Sequence, residues 1–189
     1  VPCFQPLVRY IVARDIYKPS TFNFLQRRDY NPHLDKLIDQ ILYTDERPYA
    51  LDLLAEVESS NNPSAKNPKS TAKGIYQITD DTVDTIKNRM KNMGIKKSFR
   101  NKYDDNPINW TRDQSDIALL VKVFSDEVKK GEKTHFGLKG KKGLIDSLAH
   151  EAFVNDNMNA IKDLYYTKWH TDPSLKDKLN FERGRAEVK

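Results

Sequence analysis

The stretch ALDLLAEVESS, residues 50–60, decides how this chain is read. Leu51, Leu54, Ala55 and Glu58 fall at i, i+3, i+4 and i+7, the spacing of one helical stripe. At about 100° per residue, Glu58 lies within about 60° of each of those three apolar residues. Glu56 lies about 100° or more from all of them. The spacing therefore predicts Glu56 facing solvent and Glu58 in the last turn of the buried face. A carboxylate there is partly desolvated and close to the negative end of the helix dipole, two conditions that favour its protonated form. That is the setting of a general acid; a rim carboxylate turned outward or paired with a lysine is the plainer alternative.

Working outward, the pattern is mainly helical. Asn31-Pro32 reads as a helix start, followed by Leu34, Leu37, Ile38, Ile41 and Leu42 on one face. The helix carrying Glu58 is expected from Pro48 to about Ser59, and Asn61-Asn62-Pro63 ends it. Residues 63–73 read as a polar loop, and Ile75 to Ile78 as a short extended piece. Asp80 or Asp81 is expected to cap the next helix, with Val83, Ile86, Met90 and Met93 inward and Gly94 at its end. Thr111 and Gln114 form a T-x-x-Q capping box. The helix it opens is lined by Ile117, Leu120, Val121, Phe124 and Val128 and stops at Gly131. Further helices are expected over 144–153 and 158–169, with a break at Asp172-Pro173. Residues 1–44 read as an N-terminal helical appendage, 45–170 as the main domain and 171–189 as a charged tail.

The chemistry-bearing motif starts at the carboxylate. Glu58-Ser59-x-x-Asn62-Pro63-x-Ala65 is followed by Ala72-x-Gly74-Ile75-Tyr76-Gln77 and then Thr82. This resembles the signature of the soluble lytic transglycosylases, E-S-x-x-N-P-x-A, then G-A-x-G-L-M-Q, then a threonine, with one extra residue in the loop. The spelling STAKGIYQIT, residues 70–79, is similar to bacteriophage-encoded members. A weaker similarity extends through Asn106-Pro107-Ile108-Asn109.

The resemblance implies a lysozyme-like fold, mainly α with at most a small β element, built around a cleft that takes peptidoglycan glycan strands. It implies cleavage of the MurNAc–GlcNAc β-1,4 bond with Glu58 as the single catalytic acid. Glu58 would protonate the glycosidic oxygen and then act as base, the substrate's N-acetyl group would assist, and a 1,6-anhydro end would form. Substrate-assisted glycosidases are an exception to the two-carboxylate rule. The resemblance also implies that Ser59 positions the acid, that Gly74 lets backbone pass close to substrate, and that Tyr76 and Gln77 belong to the substrate-binding set. The family's A-Y-N-A-G motif has its best counterpart in Ala149-His150-Glu151-Ala152-Phe153. His150 then either stands where a tyrosine hydrogen-bonds the acid or is an ordinary surface residue.

A second carboxylate would make the enzyme a hydrolase of the lysozyme type. Asp80, Asp81, Asp104, Asp105 and Glu151 are the candidates, and helix capping is the competing role for Asp80 and Asp81.

Composition sets the outer limits. The chain has 189 residues, 31% of them charged, with seven Gly, nine Pro and one Cys. Collagen, a coiled-coil rod and a disulfide scaffold are excluded. There is no apolar run near 18 residues, and Arg9 and Arg14 interrupt the most apolar N-terminal stretch, so neither a membrane span nor a signal-peptide core is expected. His33, His135, His150 and His170 have no metal-ligand spacing, and no phosphate-binding glycine loop occurs, so no cofactor or metal is expected. The net charge of +5 suits anionic polymers. Lys87, Arg89, Lys91, Lys96, Lys97, Arg100 and Lys102, interleaved with Phe99, Tyr103 and Trp110, leave nucleic-acid binding as a third reading. The preferred expectation is a virion-borne enzyme acting in the bacterial periplasm and cell wall, with other virion proteins as partners. An inactive lysozyme-like virion structural or adaptor protein is the alternative.

Overall fold

The computed structural model describes residues 32–44, 46–125, 148–166 and 174–188. Expectations for residues 1–31, Val128, Gly131, His135, residues 144–147, residues 167–169, His170 and Asp172-Pro173 lie outside the described residues. Within them the structure is mainly α and contains no strand. Only two isolated antiparallel bridges occur, joining Lys73 to Lys66 and to Ile78. The expected extended piece at 75–78 is a tight turn instead, with the Gln77 N–H bonded to the Gly74 carbonyl at 3.2 Å.

The first helix, α1, is Pro32–Tyr43, and α2, carrying Glu58, is Tyr49–Ser59. Helix α3, Asp80–Asn92, begins one residue after Thr79, which takes the N-cap position, so Asp80 and Asp81 sit in its first turn. There they complement the positive end of the helix dipole rather than cap it. A short α4, Lys97–Arg100, and a 3-10 turn, Pro107–Asn109, order the stretch that reads as irregular in sequence. Helix α5, Arg112–Ser125, opens with the predicted capping box. Thr111 N–H donates to Gln114 Oε1 at 2.8 Å, and Gln114 N–H to Thr111 Oγ1 at 3.1 Å. Residues 148–153 are helical (α6), followed by α7, Met158–Leu164, and α8, Leu175–Glu187.

Two helices form the centre. In α5, every residue from Ile117 to Val121 is at most 1% exposed. In α2, Ala50, Leu51, Leu53, Leu54, Ala55 and Val57 are all buried. A helix apolar on all sides is one surrounded by others. Helices α1 and α3 pack on α5, and α8 packs on α2. Leu34, Leu37, Ile38 and Ile41 of α1 and Phe181 of α8 belong to the same buried cluster as the α2 and α5 residues. The core therefore runs across both boundaries drawn at 44 and 171. The segment read as a charged tail contributes a helix whose single buried aromatic, Phe181, and close-packed Gly184 leave too weak an apolar pattern to be seen in sequence.

The basic stretch loses its stacking aromatics to this core. Tyr103 and Trp110 are buried, with ring centroids 5.1 Å apart, and Trp110 Nε1 donates to the Asp104 carbonyl at 2.7 Å. Lys87 pairs with Asp105, and Arg89 donates to the Lys122 carbonyl. A single-strand platform needs exposed ring faces, and these two rings have none to offer.

Burial gives the fold an alkaline limit. Tyr76, Tyr103 and Tyr165 are each at most 3% exposed. Desolvation first, and neighbouring carboxylates second, push all three phenols well above the ordinary value. In the unfolded chain they ionise near pH 10. The folded state then binds more protons, so stability is complete below about pH 10 and falls above it. Three such groups give a slope approaching about 4 kcal/mol per pH unit. Urea midpoints measured from pH 7 to 11 should drop steeply above pH 10, and Tyr103→Phe should make the drop shallower. A flat profile to pH 11 would contradict this burial.

Candidate active site

Glu58 lies half-buried in the last turn of α2. The helix is closed by two residues in the left-handed conformation, Ser60 at φ 52° and Asn61 at φ 59°. Their N–H groups bond the carbonyls of Glu56 at 2.9 Å and Ala55 at 3.0 Å. Neither residue is glycine, so this turn is held by its surroundings rather than by local preference.

Three groups do the holding. The Ser59 hydroxyl donates to the Ile75 carbonyl at 2.8 Å and accepts from the Asn62 N–H at 3.1 Å, which ties the end of α2 to the 74–77 turn. From α5, Arg112 donates to Asn61 Oδ1 at 3.1 Å and to Asp52 Oδ1 at 2.8 Å. From α8, Arg183 donates to Glu56 Oε1 at 3.1 Å and reaches the Glu56 carbonyl and Ser60 Oγ, each at 3.4 Å.

The carboxylate of Glu58 accepts a hydrogen bond from the Tyr165 hydroxyl. Burial, and then the negative charge of Glu58, keep that phenol protonated far beyond neutral pH. It is therefore a permanent donor. A carboxyl has two oxygens, so one can accept from the phenol while the other transfers a proton. Tyr165 is itself locked in a ring cluster, 5.2 Å from Phe181 and 5.6 Å from Tyr166 by centroid.

The other residues singled out in the sequence are distributed differently. Glu56, expected in solvent, has a side chain only 18% exposed, because α8 covers that face of α2 and supplies Arg183. Tyr76 is 1% exposed and faces inward. Its hydroxyl donates to Asp116 Oδ1 at 2.5 Å, with the Leu51 carbonyl at 3.1 Å. It belongs to a buried ionic cluster in which Asp116 also accepts from Arg47 and Arg112. A side chain so enclosed supports α2 from the core. Gln77 is half-exposed at φ 50°, and its Nε2 donates to the Gly74 carbonyl at 2.9 Å. That bond stabilises a backbone conformation a non-glycine residue rarely adopts.

His150 lies elsewhere. Its ring packs edge-on against His33 at 4.2 Å, in a cavity of about 570 Å³ that also includes Lys36, Glu46, Arg47 and Asp156. Glu58 is not among the walls of that cavity. The hydroxyl that bonds Glu58 comes from Tyr165, the first of two adjacent tyrosines at the end of a helical run of sequence, a signal that periodicity treats as core.

Gly74 has a specific structural task. It sits at φ +76°, and a Cβ there would come within 3.0 Å of the Pro107 carbonyl oxygen and 3.2 Å of the Pro107 carbonyl carbon. The close approach is to the chain's own backbone. Gly74→Ala is expected to cost about 1–3 kcal/mol, from left-handed strain and this contact. Chemical denaturation reads it directly, and an unchanged midpoint would contradict the packing.

The candidate second carboxylates have partners of their own. Asp80 pairs with Lys73 at 3.1 Å, and Asp105 with Lys87. Asp104 accepts from Asn106 N–H and Asn109 Nδ2. Glu151 accepts from Asn155 and Asn157. Asp81 is exposed in the first turn of α3. Among the described residues no group of three or more His, Cys, Asp or Glu is arranged to hold a metal ion, and no helix is long and apolar enough to cross a membrane.

Residues 43–108 match the family model described as the transglycosylase SLT domain. The matched stretch contains α2, Glu58, the 74–77 turn, α3 and α4, and ends inside the 3-10 turn. Members of that domain family are lytic transglycosylases. No curated protein matches the chain, and no solved structure does either.

Proposed function

We propose that this protein is a peptidoglycan lytic transglycosylase in which Glu58 serves as general acid and then as base. The observation that carries this reading is the setting of Glu58 within the SLT-matching stretch. It is a half-buried carboxylate at the end of a buried helix, oriented by a phenol that stays protonated. The Glu58 carboxyl donates its proton to the glycosidic oxygen as the C1–O4 bond breaks. The substrate's N-acetyl oxygen shields the developing charge at C1. The carboxylate then takes the proton of the C6 hydroxyl while O6 bonds C1. The proton is returned, no water is consumed, and the product carries a 1,6-anhydro end.

The engagement of Asp80, Asp104, Asp105 and Glu151 with other partners favours this single-acid course over a two-carboxylate hydrolysis. The phage-like spelling of residues 70–79 favours delivery by a virion, with wall penetration as the role. The end chemistry of the product tests the reaction. Purified sacculi digested with the protein should release muropeptides with 1,6-anhydro ends. Reducing ends would mean a hydrolase, and an absence of fragments would favour an inactive structural or adaptor role.

A further inference from the structure

We propose that α8, which lies outside the stretch matching the family model, is part of the catalytic scaffold, with Arg183 as a positioning residue for Glu58. The inference rests on the reading of Glu58 as the acid. Its physical basis is that two contacts from one helix converge on that side chain by different routes.

The first route is through the backbone. Arg183 bonds Glu56 Oε1, the Glu56 carbonyl and Ser60 Oγ. These groups lie two residues before and two residues after Glu58. The guanidinium thus spans the last turn of α2 and the left-handed residue that ends it. It also places a fixed positive charge at the negative end of the helix, where cations are favoured. A planar fork suits several acceptors at once better than a point charge does.

The second route is through the side chain. Phe181 is fully buried against Tyr165, and Tyr165 donates to Glu58. Between the two routes, Gly184 brings α8 against α2 at the residue before Glu58. A Cβ on Gly184 would lie 2.5 Å from Val57 Cγ2 and 3.3 Å from the Val57 nitrogen. The helices therefore meet at backbone distance, and Arg183 is held at the turn by the position of its own backbone.

Arg183 touches no reacting atom in this account; it acts through the turn that carries Glu58. Small misplacements of a catalytic group are costly in rate. Two measurements test the role, on the full chain. The first is kcat and KM on glycan strands for wild type, Arg183→Gln and Arg183→Lys. The second is backbone amide exchange at Ser60 and Asn61, which needs no activity. For Arg183→Gln, kcat is expected to fall by about 10-fold or more with KM little changed. Exchange at Ser60 and Asn61 should quicken by about 10-fold while amides of residues 119–121 in α5 stay as in wild type. Arg183→Lys should recover part of both.

An unchanged kcat overturns the proposal. So does a loss of kcat without faster exchange at the turn, or an exchange increase spread equally over the core, which would mark Arg183 as a general stability residue. If wild type cleaves no glycan, the enzymatic reading fails on its own. Exchange then decides the clamp alone: selective loosening of the turn supports it, and no change or a uniform change overturns it.

Discussion

Glu58→Gln is expected to lose about 10²–10⁴-fold in glycan-cleaving rate while the chain stays folded. The amide cannot supply a proton to the glycosidic oxygen. It still offers an oxygen to the Tyr165 hydroxyl, so the hydrogen bond that orients residue 58 survives. Little movement in melting temperature is therefore expected, and the rate loss cannot be assigned to unfolding. Glu56→Gln is the matched control, two residues away on the same helix. It replaces a partly exposed ion pair with Arg183 by a neutral hydrogen bond, a change worth at most about 1 kcal/mol. Its rate should stay far closer to wild type. Equal losses for the two substitutions would mean that helix α2 as a whole, rather than the Glu58 carboxyl, is what the reaction needs. Steady-state rates on glycan strands with a melting curve for each variant settle it.

Asp116→Ala is expected to be the most destabilising single change, at about 3–5 kcal/mol. Asp116 has no exposed surface. It accepts from Arg47, Arg112 and Tyr76, three donors that come from outside α2, from α5 itself and from the 74–77 turn. Removing it leaves Arg47 with Asp113 and Arg112 with Asp52 as their remaining carboxylates, and the Tyr76 phenol with the Leu51 carbonyl alone as acceptor. The cost is that of taking a fully buried carboxylate out of a cluster in which three donors converge on it, which exceeds the net worth of any single pair. For a chain of this size the melting temperature should fall by roughly 6–20 °C. Activity below the melting point should fall as well, because Arg112 also holds Asn61 in the turn after Glu58. A melting temperature within a degree or two of wild type would mean the cluster is solvated rather than buried.

The part of this that the sequence makes legible is what local rules control. Helix α2 is readable from its apolar spacing, and the Thr111–Gln114 capping box from two residue types three apart. Glu58 stands out because a carboxylate recurs on an apolar stripe beside a recognisable motif. What sequence hides is anything supplied from far along the chain. Glu56 reads as a solvent residue only if nothing covers that face, and the partner that covers it is 127 residues away. Its helix, α8, has a clear start, Ser174 with Asp177, whose reciprocal bonds at 2.8 and 3.2 Å form a capping box. The exposed Leu175 and Leu179 and the charged residues around Phe181 blur the apolar periodicity that follows. Tyr76 shows the limit of motif reading. It occupies a position the resemblance ties to substrate, yet its hydroxyl is spent on Asp116 in the core. Tyr165 could be found only by its contact, because an aromatic at a helix end looks the same in sequence whether it packs or positions.

The most direct test of the central claim is mass spectrometry of one peptidoglycan digest run in parallel with wild type and Glu58→Gln, at equal folded concentration. Wild type should release 1,6-anhydro muropeptides, and the variant almost none. The same fragments from both proteins would contradict it.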